Sequence, residues 1–136
     1  MSDGDDGPCA VPPETGYVIP AVRVRRESGY VVVTLAGEVD YGTVPGLRER
    51  LFALAATGRP LVADLDRVSF IDAAGLGVLA GVARRAAAHG GSLRVVCARP
   101  QIRRLFGLTG LDRAMPLAGC LAEALREVAG GDAAAG

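Results

Sequence analysis

The run from Leu61 to Leu79 changes its periodicity partway along, and that change fixes the fold class. Leu61-Val-Ala-Asp-Leu65 is a short apolar run suited to the interior of a sheet, and Val68-Ser-Phe-Ile71 is a second one. Asp72-Ala73-Ala74-Gly75 then opens a helix whose inward stripe is Leu76, Leu79, Ala83 and Ala86, and His89-Gly90-Gly91 stops it. A strand that feeds directly into an amphipathic helix is the building unit of α/β proteins.

The flanking segments supply more of the same units. Val22-Arg-Val24 and Tyr30–Leu35 surround Glu27-Ser28-Gly29, a hairpin turn, and Gly37-Glu38-Val39-Asp40 closes the second strand. Thr43 reads as an N-cap, with Pro45 in the first turn and Leu47, Leu51 and Leu54 as one helical stripe ended by Gly58 and Pro60. Leu93–Cys97 is a further strand, Pro100–Leu108 a short helix ending at Gly110, and Ala114–Leu117 a short edge strand where a proline is tolerable. Leu121, Leu125 and Val128 mark a last helix. Together these predict one α/β domain over residues 21–129. Its mixed sheet should have about four or five strands, a hairpin first and parallel thereafter, packed by about four helices. Residues 1–20, rich in Asp, Gly and Pro, read as a flexible tail, and 130–136 as another.

Composition narrows the function. The formal net charge is zero, so there is no electrostatic footprint for nucleic acid or an anionic membrane. Three widely spaced cysteines, Cys9, Cys97 and Cys120, fit neither a disulfide framework nor a zinc site and point to a reducing cytoplasm. The acidic N-terminus lacks signal-peptide regions, and the apolar run Ala73–Ala83 is too short and glycine-rich to span a bilayer.

The loop Asp72-Ala73-Ala74-Gly75 resembles the signature segment of STAS domains, the family of small bacterial anti-sigma factor antagonists and their relatives. In that family the loop usually reads Asp-Ser-Ser-Gly, and a cognate kinase phosphorylates the serine beside the glycine. Here both serines are alanines, and Ala74 stands at the phosphoserine position. The resemblance runs from about Val22 to Val128 and takes in Gly37-Glu38-Val39-Asp40, His89-Gly90-Gly91 and Leu108-Thr109-Gly110-Leu111-Asp112. It implies a protein that binds an anti-sigma factor, of the serine-kinase type, and so releases a sigma factor. A STAS subunit serving a membrane transporter or signalling scaffold is the alternative reading.

The candidate partner surface is Asp72, Ala73, Ala74 and Gly75, continued by Gly77, Gly81, Arg84 and Arg85. Ala74, Gly77, Gly81, Arg85 and Ala88 share one helical face, and the small residues would admit a partner backbone, with arginines at the rim. Asp72 is expected to accept from the amide of Ala74 or Gly75, capping the helix and fixing the loop. Without a hydroxyl at 74 the loop offers no phosphate acceptor. Ser69, the nearest hydroxyl, is expected to be packed, and Thr109 to help end its helix.

Catalysis finds little support. Gly75-Leu-Gly77-Val-Leu-Ala80 fits the dinucleotide pattern G-x-G-x-x-A, and Arg99 could meet a 2′-phosphate. Yet Leu61–Leu65 ends ten residues before Gly75, and no acidic residue follows at the required distance. His89, the only histidine, reads as a helix C-cap, and Glu38 and Asp40 as turn-shaping carboxylates. No enzyme activity, cofactor or metal is expected.

Overall fold

The computed structural model describes residues 21–135, so the expected flexible tail at 1–20 lies outside the described residues. β1 (Ala21–Glu27) and β2 (Tyr30–Val39) pair antiparallel, joined through Ser28 and Gly29, whose φ of +99° suits a tight hairpin. β3 (Leu61–Ile71) then lies parallel to β2, β4 (Leu93–Val96) parallel to β3, and β5 (Leu117–Ala118) parallel to β4. The sheet order is therefore β1-β2-β3-β4-β5. The inner strands β2 and β3 are covered on both faces over most of their length. This accounts for their unbroken Val, Leu and Ala runs in place of a polar–apolar alternation.

Among the described residues five helices complete the domain: α1 (Val44–Ala55), α2 (Ala73–Ala88), α3 (Pro100–Thr109), the single turn α4 (Leu111–Ala114) and α5 (Leu121–Ala135). Leu47, Leu51 and Leu54 of α1, Leu76, Leu79 and Val82 of α2, and Ile102 and Phe106 of α3 share one core with Val33, Leu35, Leu65 and Val68 of the sheet. On the opposite face, Ala124 and Val128 of α5 cover Val32, Val62, Val96 and Ala118.

Several boundaries differ from those expected. β3 is continuous through Ile71, merging what reads in sequence as two apolar runs. Its register against β2 slips twice, between Thr34 and Ala36 and between Gly37 and Glu38, so β3 carries the extra residues. Ser69 falls at the second slip, unmatched in the register and exposed, whereas the sequence suggested a packed hydroxyl. The edge strand starts after Pro116 rather than at Ala114. Proline has no N–H to give, and its carbonyl instead accepts from the Val95 amide at 3.0 Å. The last helix continues to Ala135, past the expected end near residue 129.

Candidate functional site

Two loops meet at the C-terminal ends of β2 and β3, and one carboxylate joins them. Asp72 leaves β3 in extended backbone conformation (φ −113°, ψ −173°) and stands at the N-cap of α2. Its Oδ1 accepts from the Gly75 amide at 3.0 Å, and its Oδ2 accepts from the Tyr41 amide at 3.1 Å. The Gly75 hydrogen bond does most to hold the Asp72 carboxyl below the usual carboxylate range. Desolvation opposes it less strongly, and the Tyr41 amide adds a still smaller downward effect. The expected cap is present, and the link to Tyr41 comes in addition.

The β2–α1 loop is tied down separately. Asp40 Oδ1 accepts from the Gly42 and Thr43 amides at 3.0 and 3.2 Å, shaping the turn as expected. Thr43 precedes α1, but its side chain makes no cap. Its hydroxyl donates to the Glu38 carbonyl at 3.0 Å and accepts from the Asp40 amide at 2.9 Å, so it fastens the loop to the end of β2 instead. The result is a rigid turn that holds Tyr41 outward at 82% exposure. Nearby on β3, opposite Glu38 in the register, Phe70 is half exposed. Sequence reasoning singled out neither residue. An aromatic between Asp40 and Gly42, in a chain with only three tyrosines and three phenylalanines, was the available signal.

The expected partner residues separate into two groups. Ala73 and Gly77 are exposed, Ala74 is half-buried in the first turn of α2, and Arg84 and Arg85 are exposed. Gly75 and Gly81 are buried and present no open surface. A Cβ on Gly75 would lie 2.5 Å from the Val39 carbonyl oxygen, so this glycine lets α2 start against the end of β2. A Cβ on Gly81 would meet the Phe52 ring of α1 at 3.0 Å; the space expected to admit a partner backbone is filled from within the chain. Periodicity along one helix cannot register a side chain arriving from another.

The dinucleotide pattern acquires a different geometry. Because β3 reaches Ile71, the strand-to-glycine gap is shorter than the sequence suggested. Both glycines nevertheless lie inside α2, and the Gly75 amide is committed to Asp72, so they form no phosphate-cradling turn ahead of the helix. Arg99 is exposed at the start of α3. His89 Nδ1 lies 2.9 Å from the Arg85 carbonyl, a C-terminal cap on α2, and Thr109 donates to the Leu105 carbonyl at the end of α3. Burial pushes the Cys97 thiol up, which keeps it from serving as a ready thiolate. Cys120 is exposed, and Cys9 lies outside the described residues. Among the described residues no group of three or more His, Cys, Asp or Glu side chains could hold a metal. No helix there is long and apolar enough to cross a membrane.

This architecture, with a carboxylate-capped helix rising from the centre of a mixed sheet, is that of a recognised family. The chain belongs to the STAS domain family, whose model matches residues 21–124. Over 90 residues it is 39% identical to the anti-sigma-B factor antagonist of Bacillus subtilis (strain 168), covering 66% of this chain and 83% of that protein. An anti-sigma factor antagonist from Mycobacterium paratuberculosis superposes with a TM-score of 0.73 at 36% identity, covering 80% of this chain and 93% of the other. The anti-sigma factor antagonist SpoIIAA in its unphosphorylated form gives 0.68 at 27% identity, over 81% and 97% of the two chains. These relatives are thus all named as anti-sigma factor antagonists.

Proposed function

We propose that this protein is an anti-sigma factor antagonist. It docks on an anti-sigma factor of the serine-kinase type through the Asp72–Gly75 loop and the exposed face of α2, releasing a sigma factor, and phosphorylation of that loop does not switch it. The first part is supported by the relatives' shared name and by a docking loop rigid enough to be recognised. The second rests on one observation: Ala73 and Ala74 carry no hydroxyl, while the loop keeps its shape through Asp72, which ties Gly75 to Tyr41. A dianion at position 74 would sit at the helix N-terminus and press charge into a docked partner. Alanine leaves the surface permanently neutral, so control passes to the amount of the antagonist.

Affinity capture from the native cytoplasm, with mass-spectrometric identification, tests the reading. A kinase-like anti-sigma factor is the expected partner; a transporter subunit in its place would overturn the proposal. Incubating the captured kinase and ATP with this protein should add no phosphate to the intact mass. A stoichiometric phosphate mapped to exposed Ser69 would mean that the switch has moved along β3 rather than vanished.

A further inference from the structure

The far end of α2 carries a feature that the docking loop does not explain. The Phe52 ring, half-buried on α1, lies against Gly81 of α2. The guanidinium carbons of Arg48 and Arg85 each stand 4.8 Å from its centroid, and an Arg84 nitrogen is 3.9 Å from where a Gly81 Cβ would be. These groups and His89 line a cleft of about 360 Å³ between α1 and α2, with no carboxylate in its walls. Among the described residues, no Asp or Glu pairs with Arg48, Arg84 or Arg85, whereas Arg25 pairs with Glu27 and Arg94 with Glu127. In a chain of zero net charge, this is a local concentration of cations rather than a general excess.

Stacking on a ring engages the face of a guanidinium and leaves its N–H edge free, with five donors per arginine. The ring therefore holds two forks in place at reduced entropic cost while using none of their hydrogen bonds, although the two like charges repel. An anion offsets that repulsion and fills the forks. Carboxylates fit the fork bidentately, and several on one polypeptide bind together where a lone ion competes poorly with water and salt. α2 has 16 residues, about 24 Å of helix, and its exposed residues Ala73, Gly77, Arg84 and Ala88 lead from the Asp72 loop to this cleft.

We infer that the Arg48–Phe52–Arg85 cleft receives an acidic segment of a protein partner. The anion chemistry stands on the cleft alone; placing the segment on the anti-sigma factor rests on the function proposed above.

The test is an NMR titration of the full chain with a hexaglutamate peptide, with hexaglutamine and inorganic phosphate as controls at matched ionic strength. The Arg48 and Arg85 Nε–H signals and the Gly81 amide should shift and saturate with hexaglutamate, and stay still with hexaglutamine. The response should weaken as salt rises. Arg48→Glu combined with Arg85→Glu should weaken peptide binding about tenfold or more, and Arg84→Glu, outside the ring stack, should act in the same direction. Equal shifts with hexaglutamine overturn the inference, as does parental affinity in charge-reversed variants with normal melting curves. Tighter saturation by phosphate also overturns it, by making the cleft a small-anion site. With a captured anti-sigma factor the two readings separate. If Ala74→Glu abolishes binding and the charge reversals leave it intact, the acidic segment is wrong and the docking loop stands. If the peptide results hold but the captured partner is not an anti-sigma factor, the cleft stands and the functional proposal falls.

Discussion

Two glycines two positions apart on α2, Gly75 and Gly77, should respond in opposite ways to the same substitution. At Gly75 an added Cβ would lie 2.5 Å from the Val39 carbonyl oxygen, 2.8 Å from Ile71 Cγ1 and 2.9 Å from Val39 Cγ1. The nearest obstacle is backbone, so the start of α2 or the end of β2 must move. Overpacking costs about 1–3 kcal/mol; three contacts under 3.0 Å, the nearest to backbone, put this one at about 2–3, and alanine's better helix propensity returns about 1. Gly75→Ala should therefore lose about 1–2 kcal/mol net, a fall in melting temperature of roughly 4–12 °C. At Gly77 nothing lies within 4 Å of the added atom and the helix continues on both sides, so only the propensity gain remains. Gly77→Ala should gain about 1 kcal/mol and melt a few degrees higher. Because Gly77 is exposed on the proposed docking face, the same methyl should weaken partner binding while stabilising the fold. Thermal melts and titration calorimetry against the captured partner measure both. A Gly75→Ala protein that melts with the parent would refute the close-approach argument, and a destabilised Gly77→Ala would refute the open-face argument.

Position 74 can be tested in two directions: Ala74→Glu should leave folding intact and cost roughly 2–5 kcal/mol of partner affinity by calorimetry, because the carboxylate is desolvated without a counter-charge. Ala74→Ser should acquire a phosphate from a kinase-type partner with ATP, seen by intact mass, where the parent acquires none. Asp72 has its carboxyl pKa lowered in the fold, so its contribution to stability is present above the ordinary carboxylate range and is lost as pH falls below about 4. Asp72→Ala should remove that acid-sensitive component and speed hydrogen exchange at the Tyr41 and Gly75 amides. Asp64 is the reverse case: burial raises its pKa, the native state holds its proton longer, and stability falls as pH rises from the ordinary carboxylate range through the folded value. Asp64→Asn, retaining an oxygen to accept from the Asp66 amide, should flatten that fall in denaturant titrations run from about pH 4 to 7.

The sequence made the element order legible because each unit announces itself locally. Hairpin turn chemistry, leucine stripes and helix-ending glycines are properties of neighbouring residues, and they located the strand-to-helix junction at Asp72. Contacts set by distant elements were not legible. Thr43 has the residue type of a cap, yet its hydroxyl turns back to Glu38 because the end of β2 lies within reach. Ser69 sits in an apolar run, yet a register slip against β2 leaves it exposed. Gly81 belongs to a stripe of small residues, yet Phe52 occupies the space beside it. In each case a partner strand or helix decided the outcome, and a single strand or helix pattern holds no record of it.

Asp72 shows why a capping role and a recognition role need not compete. A helix cap requires one oxygen facing the first-turn amides, and Oδ1 meets that need at Gly75. The second oxygen is then free, and it holds the Tyr41 amide from the neighbouring loop. That second bond is unnecessary for α2 but anchors the backbone that carries an 82% exposed aromatic close to the start of α2. The shape of the loop therefore depends on the carboxylate and on backbone amides, with no hydrogen bond from a side chain at 73 or 74. A hydroxyl there could add a phosphate but is not needed to build the surface. On the function proposed above, alanines in place of the family loop's two serines would remove a means of control and leave the surface intact, the arrangement expected of an antagonist that is always ready to bind.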